Sequence, residues 1–421
     1  MKSNKKIENS NSAANVKLKF LVDTITPPLK INKSDYLEIG LYPIIDQSKN
    51  FIAGWTDDPN SLITPPPGGL IIFGDHTCAI KFIETPFAQG ADGIKILKTK
   101  GDLIPAYLYA HLLAFPLLND GYKRHFTDLK EMEILVPSAE VQREVAELLT
   151  TLNAKISHNK EHASTLEEIA NTFFKSWFID FDLTNALEQG SEAFGIPREL
   201  IPLFRVEFAD SEIGPIPSGW KVSSLDEAYE VGIGRTPPRK EPEWFCNGNE
   251  GVKWVSIRDM GNYSTFSNET LEGLTEEAVA KFRVPIVPED TVLMSFKLTV
   301  GKICITDTDL TTNEAIAHFK VKANSELGTN FLYLWLKNYD MNKLDSTSSI
   351  GNATNSGLVK QIKILIPDSR VITHFNSVID PLFLRIKKLN YEILLIEEFC
   401  NSILPKVILG KMPSMAEVVA S

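Results

Sequence analysis

The sequence predicts an α+β protein in which two mixed α/β domains are separated by two long helices forming an intramolecular antiparallel coiled coil. Apolar residues recur every three or four positions from Val141 to Phe178, for longer than an ordinary globular helix needs. This region is repeated 230 residues downstream without a gap (359 − 129 = 230), and ten of the 46 positions in 129–174 match those in 359–404. An internal duplication with pseudo-twofold symmetry is therefore expected.

The repeat assigns the residues at which the two helices face each other. Placing Val145 and its copy Phe375 at heptad position d gives a core made of Leu149, Leu152, Ile156, Leu166, Phe173, Ile379, Leu382, Ile386, Ile393 and Ile396. Asn159 falls in this apolar seam, where it either fixes the helix register or marks a splayed region. Pro381 should kink or restart the second helix, and Pro405 suggests that the helix ends near there.

The remaining elements follow in chain order. Strands are predicted at Leu41–Ile45, Leu70–Phe73, Ile94–Leu97 and Met132–Val136, with a short helix at Tyr107–Leu118. Ser138 is a candidate N-cap for the first long helix. The predicted segments are a disordered tail (1–16), the first mixed domain (17–137), the first long helix (138–180), a linker (181–213), the second mixed domain (214–368), the second long helix (369–410) and a tail (411–421).

Composition restricts the class of protein. Of the 421 residues, 43% are hydrophobic and 23% are charged, which is typical of a globular cytoplasmic protein, and no apolar run is long enough to span a membrane. The four cysteines are far apart, which favours reduced thiols over disulfides or a zinc cluster. The net charge of −11 provides no global footprint for nucleic acid, so DNA binding would need local patches or basic partners.

No catalytic motif is complete. Gly232-Ile233-Gly234 begins like a dinucleotide fingerprint, but Pro237 stands where its third glycine would be. The stretch from Asp290 to Lys297 lacks the acidic residue that a nuclease core needs just before its lysine. His76 and His318 have no second ligand at helical spacing, so no metal site is predicted.

Several segments resemble the specificity subunits of type I restriction-modification systems. They are Asn171–Phe178 (NTFFKSWF), Gly214–Trp220 (GPIPSGW), Leu404-Pro405-Lys406 and the gapless pair of long helices. Looser matches occur in family order at Tyr42–Gln47, Ala53–Thr56, Ile72–Thr77, Gly234–Pro237, Trp254–Met260 and Thr312–Ala315. The N-terminus has no Pro-x-Gly-Trp opening like that of the second half, which leaves the start of the first domain open.

The resemblance implies a non-catalytic subunit that reads a bipartite target in double-stranded DNA. Each mixed domain would be a target-recognition domain for one half-site, and the coil would set the spacing between them. Two methyltransferase subunits would dock on this scaffold for adenine methylation, and restriction (motor-nuclease) subunits would join for cleavage of unmodified DNA. The chain itself would bind no cofactor, with S-adenosylmethionine, ATP and Mg expected on the partner subunits in a bacterial or archaeal cytoplasm.

Candidate DNA contacts are basic and amide side chains in the two recognition domains, because such groups reach phosphates and base edges. They are Gln47, Lys49, His76, Lys81, Lys123 and Arg124 in the first domain, and Arg235, Arg239, Lys240, Arg258, Lys297 and Asn352 in the second. Two alternatives remain open: a DNA methyltransferase or nuclease with an unrecognised site, and a coiled-coil adaptor whose domains bind protein.

Overall fold

The computed structural model describes residues 13–411 except 49, 91–92, 119–120, 122, 189–200, 202–203, 205–206, 249, 324 and 346–355. The chain divides into two compact units: unit 1 comprises Met1–His158 and Ile393–Ser421, and unit 2 comprises Asn159–Glu392. None of the helices in the described ranges combines the length and apolar character needed to cross a membrane.

The helices include two of 40 residues, α4 and α12. In order they are α1 (Leu18–Leu21), α2 (Pro105–Ala114), α3 (Phe126–Glu131), α4 (Ala139–Phe178), α5 (Asp182–Glu188), α6 (Leu225–Ala228), α7 (Ile257–Met260), α8 (Glu276–Phe282), α9 (Thr329–Lys337), α10 (Asn342–Asp345), α11 (Ser356–Lys360) and α12 (Ser369–Ile408). Three-residue 3-10 helices occur at Lys33–Asp35, Pro59–Ser61 and Pro242–Trp244.

The strands are short. Unit 1 contains β1 (Ala14–Lys17), β2 (Val22–Ile25), β3 (Tyr42–Ile45), β4 (Gly54–Thr56), β5 (Leu62–Ile63), β6 (Leu70–Gly74), β7 (Ile80–Ile83), β8 (Phe87–Gln89), β9 (Ile94–Thr99) and β10 (Glu133–Val136). Unit 2 contains β11 (Phe208–Ala209), β12 (Ile216–Pro217), β13 (Lys221–Ser224), β14 (Tyr229–Ile233), β15 (Phe245–Asn247), β16 (Val252–Val255), β17 (Glu272–Leu274), β18 (Val292–Ser295), β19 (Ile303–Ile305), β20 (Thr311–Thr312), β21 (Ile316–Val321) and β22 (Lys363–Ile366).

Each unit has two four-stranded sheets and a separate strand pair next to its long helices. In unit 1 the sheets have the orders β2-β9-β6-β7 and β4-β3-β8-β5, and β1 pairs with β10. In unit 2 the orders are β14-β21-β18-β19 and β15-β17-β16-β20, and β13 pairs with β22. A further short pair in unit 2 joins β11 to β12.

The two units share one topology. Nine strands of unit 1 have counterparts in the same chain order in unit 2: β1 with β13, β2 with β14, β3 with β16, β4 with β17, β6 with β18, β7 with β19, β8 with β20, β9 with β21, and β10 with β22. Their pairings agree in direction, including the parallel contact of β3 with β8 and of β16 with β20. The duplication inferred for the helices therefore extends through both mixed domains.

The core of each unit includes residues from both long helices. In unit 1, Val145 and Leu149 of α4 belong to the same buried cluster as Leu404 and Ile408 of α12. In unit 2, the cluster contains Ala163, Ala170, Phe174, Trp177 and Phe178 of α4 together with Phe375, Ile379, Phe383, Ile386 and Leu389 of α12. The apolar faces of the helices therefore stabilise the mixed domains as well as each other.

The heptad assignment is wrong at Phe173. Leu149, Ile379, Ile386 and Ile393 are buried, and Leu152, Ile156, Leu166, Leu382 and Ile396 are partly buried, but Phe173 is 40% exposed and Phe174 is fully buried in its place. A straight helix turns about 100° per residue, so Phe173 lies about 80° away from the face of Val145, whereas Phe174 lies about 20° from it. Residues near the end of α4 therefore follow the 3.6-residue period.

The second long helix does not restart at Pro381, and it ends close to Pro405, as expected. α12 is one continuous element that passes through both prolines and ends at Ile408. An interior proline costs about 3 kcal/mol, and several buried side chains on the same helix contribute about 1.5–3 kcal/mol each, so packing outweighs this cost. The helix is followed by Gly410 in the left-handed conformation, with φ of 64°.

Some predicted boundaries also change. The segment expected to be a disordered tail contains β1, which starts at Ala14 and pairs with Val136; residues 1–12 and 412–421 of the two predicted tails lie outside the described residues. The predicted helix at Tyr107–Leu118 begins at Pro105 and ends at Ala114, because Pro116 cannot continue it. The predicted linker contains α5 and β11, and residues 189–200 within it lie outside the described part.

Candidate nucleic-acid interface

The two units carry equivalent hairpins, and the turn of each hairpin holds one predicted DNA contact. In unit 1 the turn between β6 and β7 contains His76, and in unit 2 the turn between β18 and β19 contains Lys297. Both turns include a non-glycine residue with positive φ: Cys78 at 55° and Leu298 at 63°. A two-stranded ribbon of this kind has the dimensions to enter the major groove of DNA.

In unit 1, the hairpin turn contacts the basic segment before α3. The buried Asp75 accepts a hydrogen bond from the Phe126 amide to Oδ1 at 2.9 Å, while its carbonyl accepts from the His125 amide at 2.8 Å. His76 Nδ1 lies 3.1 Å from the Lys123 carbonyl oxygen. The sequence cluster Lys123-Arg124-His125 is thus fixed beside the turn, with Lys123 and Arg124 exposed but His125 buried.

Gln47 lies at the same turn. Its Oε1 accepts a hydrogen bond from the His76 amide at 3.4 Å, and its carbonyl accepts from Thr77 Oγ1 at 2.7 Å. Gln47, His76, Lys123 and Arg124 are therefore brought together, although they come from three separate stretches of sequence. Lys123 Nζ also lies 3.2 Å from Asp128 Oδ2.

Lys81 is not available to DNA in this structure, contrary to the prediction. Its residue exposure is only 5%, and its Nζ donates hydrogen bonds to the carbonyls of Asp46 at 2.8 Å and Asn50 at 2.5 Å. Burial lowers the pKa of the ammonium group from its ordinary value. The side chain ties β7 to the loop after β3, which is a structural role; Lys49 in that loop lies outside the described residues.

In unit 2, two predicted contacts are engaged with the protein. Arg235 donates from Nη1 to the carbonyl of Phe282 at 2.7 Å. Arg239 donates from Nη1 to both carboxylate oxygens of Glu272, at 2.8 and 2.9 Å, and its guanidinium lies 4.3 Å from the ring centroid of Phe245. Although both side chains are exposed, these contacts hold them against their own unit.

Three other candidates in unit 2 remain accessible. Lys240 and Arg258 are exposed and Lys297 is partly exposed. Arg258 is displayed on α7, which begins with a capping box between Ser256 and Asp259. Asn352, the sixth candidate, lies outside the described residues.

Two histidines, His111 and His318, are buried in the protein. Burial lowers the pKa of His111 and of His318 to about 4, so both are neutral near pH 7. His111 Nε2 accepts a hydrogen bond from the Leu135 amide at 3.1 Å, which is a structural role. Within the described residues, no group of three or more His, Cys, Asp or Glu side chains has the geometry to hold a metal ion.

Sequence reasoning missed two features near these loops. Glu167 of α4 accepts hydrogen bonds from the side chains of Thr265 and Tyr333. In the sequence repeat Glu167 matches Glu397, but the repeat does not indicate these contacts. Leu298 is the exposed tip residue of the unit 2 hairpin. The sequence signal for that tip is the dipeptide Gly301-Lys302, because glycine with positive φ commonly closes a turn.

These features define a class: a protein with two units of one topology, each presenting a hairpin and exposed basic side chains. Residues 217–388 match the family model of the type I restriction modification DNA specificity domain. The resemblance to type I specificity subunits that the sequence indicates is thereby confirmed. Such subunits are the DNA-recognition components of their systems and are not catalytic.

Relatives extend the match beyond that domain. The chain is 25% identical over 329 residues to the type I restriction enzyme HindI specificity subunit of Haemophilus influenzae, covering 68% of this chain and 70% of that protein. It is 25% identical over 290 residues to the MjaIX specificity subunit of Methanocaldococcus jannaschii, covering 68% of this chain and 61% of that protein. A solved S subunit from M. genitalium aligns with 99% of this chain and 100% of its own at 17% identity, with a TM-score of 0.48.

Proposed function

We propose that this chain is the non-catalytic DNA-specificity subunit of a type I restriction-modification complex. Unit 1 reads one half of a split DNA sequence and unit 2 reads the other. The observation that carries this proposal is the repetition of one topology in both units, with equivalent hairpins that bear different side chains. The two mixed domains (17–137 and 214–368) are called the heads below. Two heads that share one topology but differ in their loops suit a target made of two different half-sites.

The two long helices are proposed to pair as an antiparallel coiled coil that spaces the half-sites. In unit 1 the beginning of α4 packs with the end of α12, and in unit 2 the end of α4 packs with the beginning of α12. This order supports the proposal of antiparallel helices. The duplication supports pseudo-twofold symmetry, which would present the two heads to DNA in inverted orientation.

The heads are proposed to bind DNA mainly through Gln47, His76, Lys123 and Arg124 in unit 1 and Lys240, Arg258 and Lys297 in unit 2. These side chains include the accessible basic groups that neutralise phosphates. Lys49 and Asn352 remain proposed contacts. Arg235 and Arg239 are proposed to shape the surface of unit 2, since each is already bound within it.

The partners follow from the same role. Two methyltransferase subunits would bind the scaffold and methylate adenine, and restriction subunits would join them to cleave unmodified DNA in the cytoplasm of a bacterium or archaeon. S-adenosylmethionine, ATP and Mg would be bound by those subunits. The basic surface that a chain of net charge −11 lacks would then come partly from the partners.

Co-expression with the methyltransferase subunit tests the proposal. We expect a complex with two methyltransferase copies per chain that methylates a split sequence, whereas the purified chain alone neither methylates nor cuts DNA. Activity of the chain alone would favour an unrecognised catalytic site. A complex that methylates without sequence preference would favour the alternative of a protein-binding adaptor.

A double variant tests the basic segment of unit 1. In the complex, Lys123→Ala with Arg124→Ala should weaken DNA binding and reduce the slope of log K against log salt by up to about 2, because two phosphate contacts are lost. Lys100→Ala is the matched control, since Lys100 is an exposed lysine of the same unit paired with Asp23 at 2.8 Å. Binding of the double variant that matches the control would exclude this segment from the interface.

A further inference from the structure

The hairpin between β18 and β19 presents an apolar side chain at its tip. Leu298 is 88% exposed, the highest value for a large apolar side chain among the residues that the structure describes. It follows Lys297, and the exposed Lys302 lies on the other side of the turn. A single exposed leucine is ordinary on a protein surface, but the backbone conformation at this residue is not.

The backbone at Leu298 is strained. Its φ is 63°, in the left-handed region that leucine rarely adopts. The Thr299 amide donates to the Lys297 carbonyl at 2.7 Å, which closes a three-residue turn around Leu298. A γ-turn with positive φ at its centre is rare and strained, and such strain is concentrated at functional positions.

Residues at the base of the turn hold it in place. The buried Ser295 donates from Oγ to the Thr299 carbonyl at 2.5 Å and accepts from the Lys302 amide at 3.0 Å. Gly301 has φ of 86°, and a Cβ added to it would come within 2.8 Å of Met341. The tip is therefore fixed by its own hydrogen bonds and close packing, while the leucine side chain that it displays remains exposed.

We propose that Leu298 reads the C5-methyl group of a thymine in the half-site bound by unit 2. This inference rests on the proposed function. A two-stranded ribbon fits the major groove, which is about 12 Å wide, and the flanking lysines suit the phosphates on its edges. The thymine methyl is the apolar group that bases present in that groove, so it is the complement of an aliphatic tip.

The equivalent turn in unit 1 differs in chemistry. Its residue with positive φ is Cys78, which is partly buried, and the neighbouring His76 and Thr77 are polar. The same hairpin therefore offers an apolar tip in one unit and a polar tip in the other. This difference is what two heads that read unlike half-sites require.

Replacement of thymine by deoxyuridine tests the contact, because it removes only the methyl group. The assembled complex with its methyltransferase subunits is used, after its target has been determined by sequencing methylated DNA. We expect one position in the unit 2 half-site at which deoxyuridine weakens binding by the wild-type complex about fourfold, the value of one buried methyl group. Leu298→Ala should bind thymine and uracil equally at that position.

Two further variants separate recognition from folding. Leu298→Gly relieves the backbone strain, so its thermal unfolding midpoint should equal or exceed that of the wild type while the uracil effect disappears. Ile286→Ala, another exposed apolar residue of unit 2 at 59%, should keep the uracil effect. A lower midpoint for Leu298→Gly would indicate a structural role and overturn the proposal.

Other results also overturn it. They are a unit 2 half-site without an A·T pair, uracil effects that are unchanged in Leu298→Ala, or loss of methyltransferase binding by that variant, which would make the tip a protein contact. Failure of the proposed function is distinguishable, because a wild-type complex that methylates no split sequence would fail before any variant is made. That failure would remove both proposals.

Discussion

At the scale of single residues, Glu167 connects three elements of unit 2. Its carboxylate accepts hydrogen bonds from Thr265 Oγ1 at 2.6 Å and from the Tyr333 hydroxyl at 2.7 Å, and it lies 3.2 Å from Lys337 Nζ. Burial alone would raise the pKa of Glu167, but the hydrogen bonds and the charge of Lys337 hold it below its ordinary value. The ionised form therefore stabilises the unit.

Glu167→Gln should reduce the free energy of unfolding at pH 7 by about 1.5–3 kcal/mol, because charge-assisted hydrogen bonds are weakened. Since the folded pKa is depressed, the wild-type advantage is present above about pH 4.5 and is lost as the pH falls through the folded pKa. Urea unfolding at pH 7 and in acid measures this. The exposed Glu168→Gln is the control, and an equal effect of both variants would contradict this role.

Lys81 shows why residue type alone did not identify the contacts. Lysine is usually solvated, so its appearance in a loop-flanking strand suggested a phosphate contact. The structure instead surrounds it with backbone carbonyls of the loop after β3, an arrangement that depends on the path of the chain 30 residues upstream. Sequence spacing contains no information about such a path. His76, Lys123 and Arg124 were chosen by residue type and remain proposed DNA contacts, and their proximity to one another was not predicted.

At the scale of elements, the last third of α4 is an aromatic core element. Phe174 is fully buried, with its ring centroid 5.2 Å from that of Phe331 and 6.0 Å from that of Phe375. Phe173, one position earlier, is 40% exposed. The repeat predicted the helix and most of its inner face, but a strict heptad over four repeats drifts by about 80° from a straight helix.

Phe174→Ala should therefore cost about 3–5 kcal/mol of unfolding free energy, the usual value for emptying a phenylalanine site in a core. Phe173→Ala should cost less than about 1 kcal/mol, because its side chain is half in solvent. Denaturant unfolding of the full chain compares the two. The reverse order would restore the strict heptad register and contradict the structure.

Asn159 makes a buried polar contact with the second long helix. It is 1% exposed, and its Nδ2 donates to Glu392 Oε2 at 2.9 Å. The corresponding pair in the repeat is Leu389 with His162 (159 + 230 = 389 and 392 − 230 = 162). A polar contact at one position and an apolar residue at its copy favour the hypothesis that Asn159 fixes the register of the helices.

At the scale of the whole molecule, the main feature is the internal duplication, which gives two copies of one fold. Ten identities in 46 positions were enough to predict two copies of one fold, and the shared strand pairings support this far more strongly than the sequence did. Strand pairing was not predictable, because the parallel contacts of β3 with β8 and of β16 with β20 join residues more than 40 positions apart. Short strands with weak periodicity leave such pairings undetermined.

Exchange of one head tests the central claim most directly. Residues 18–131 of unit 1 are replaced by those of another specificity subunit, and the DNA methylated by the complex is sequenced. We predict that one half of the methylated sequence changes, while the other half and the spacing between them stay as in the wild type. A sequence that changes in both halves, or in neither, would contradict the assignment of one half-site to each unit.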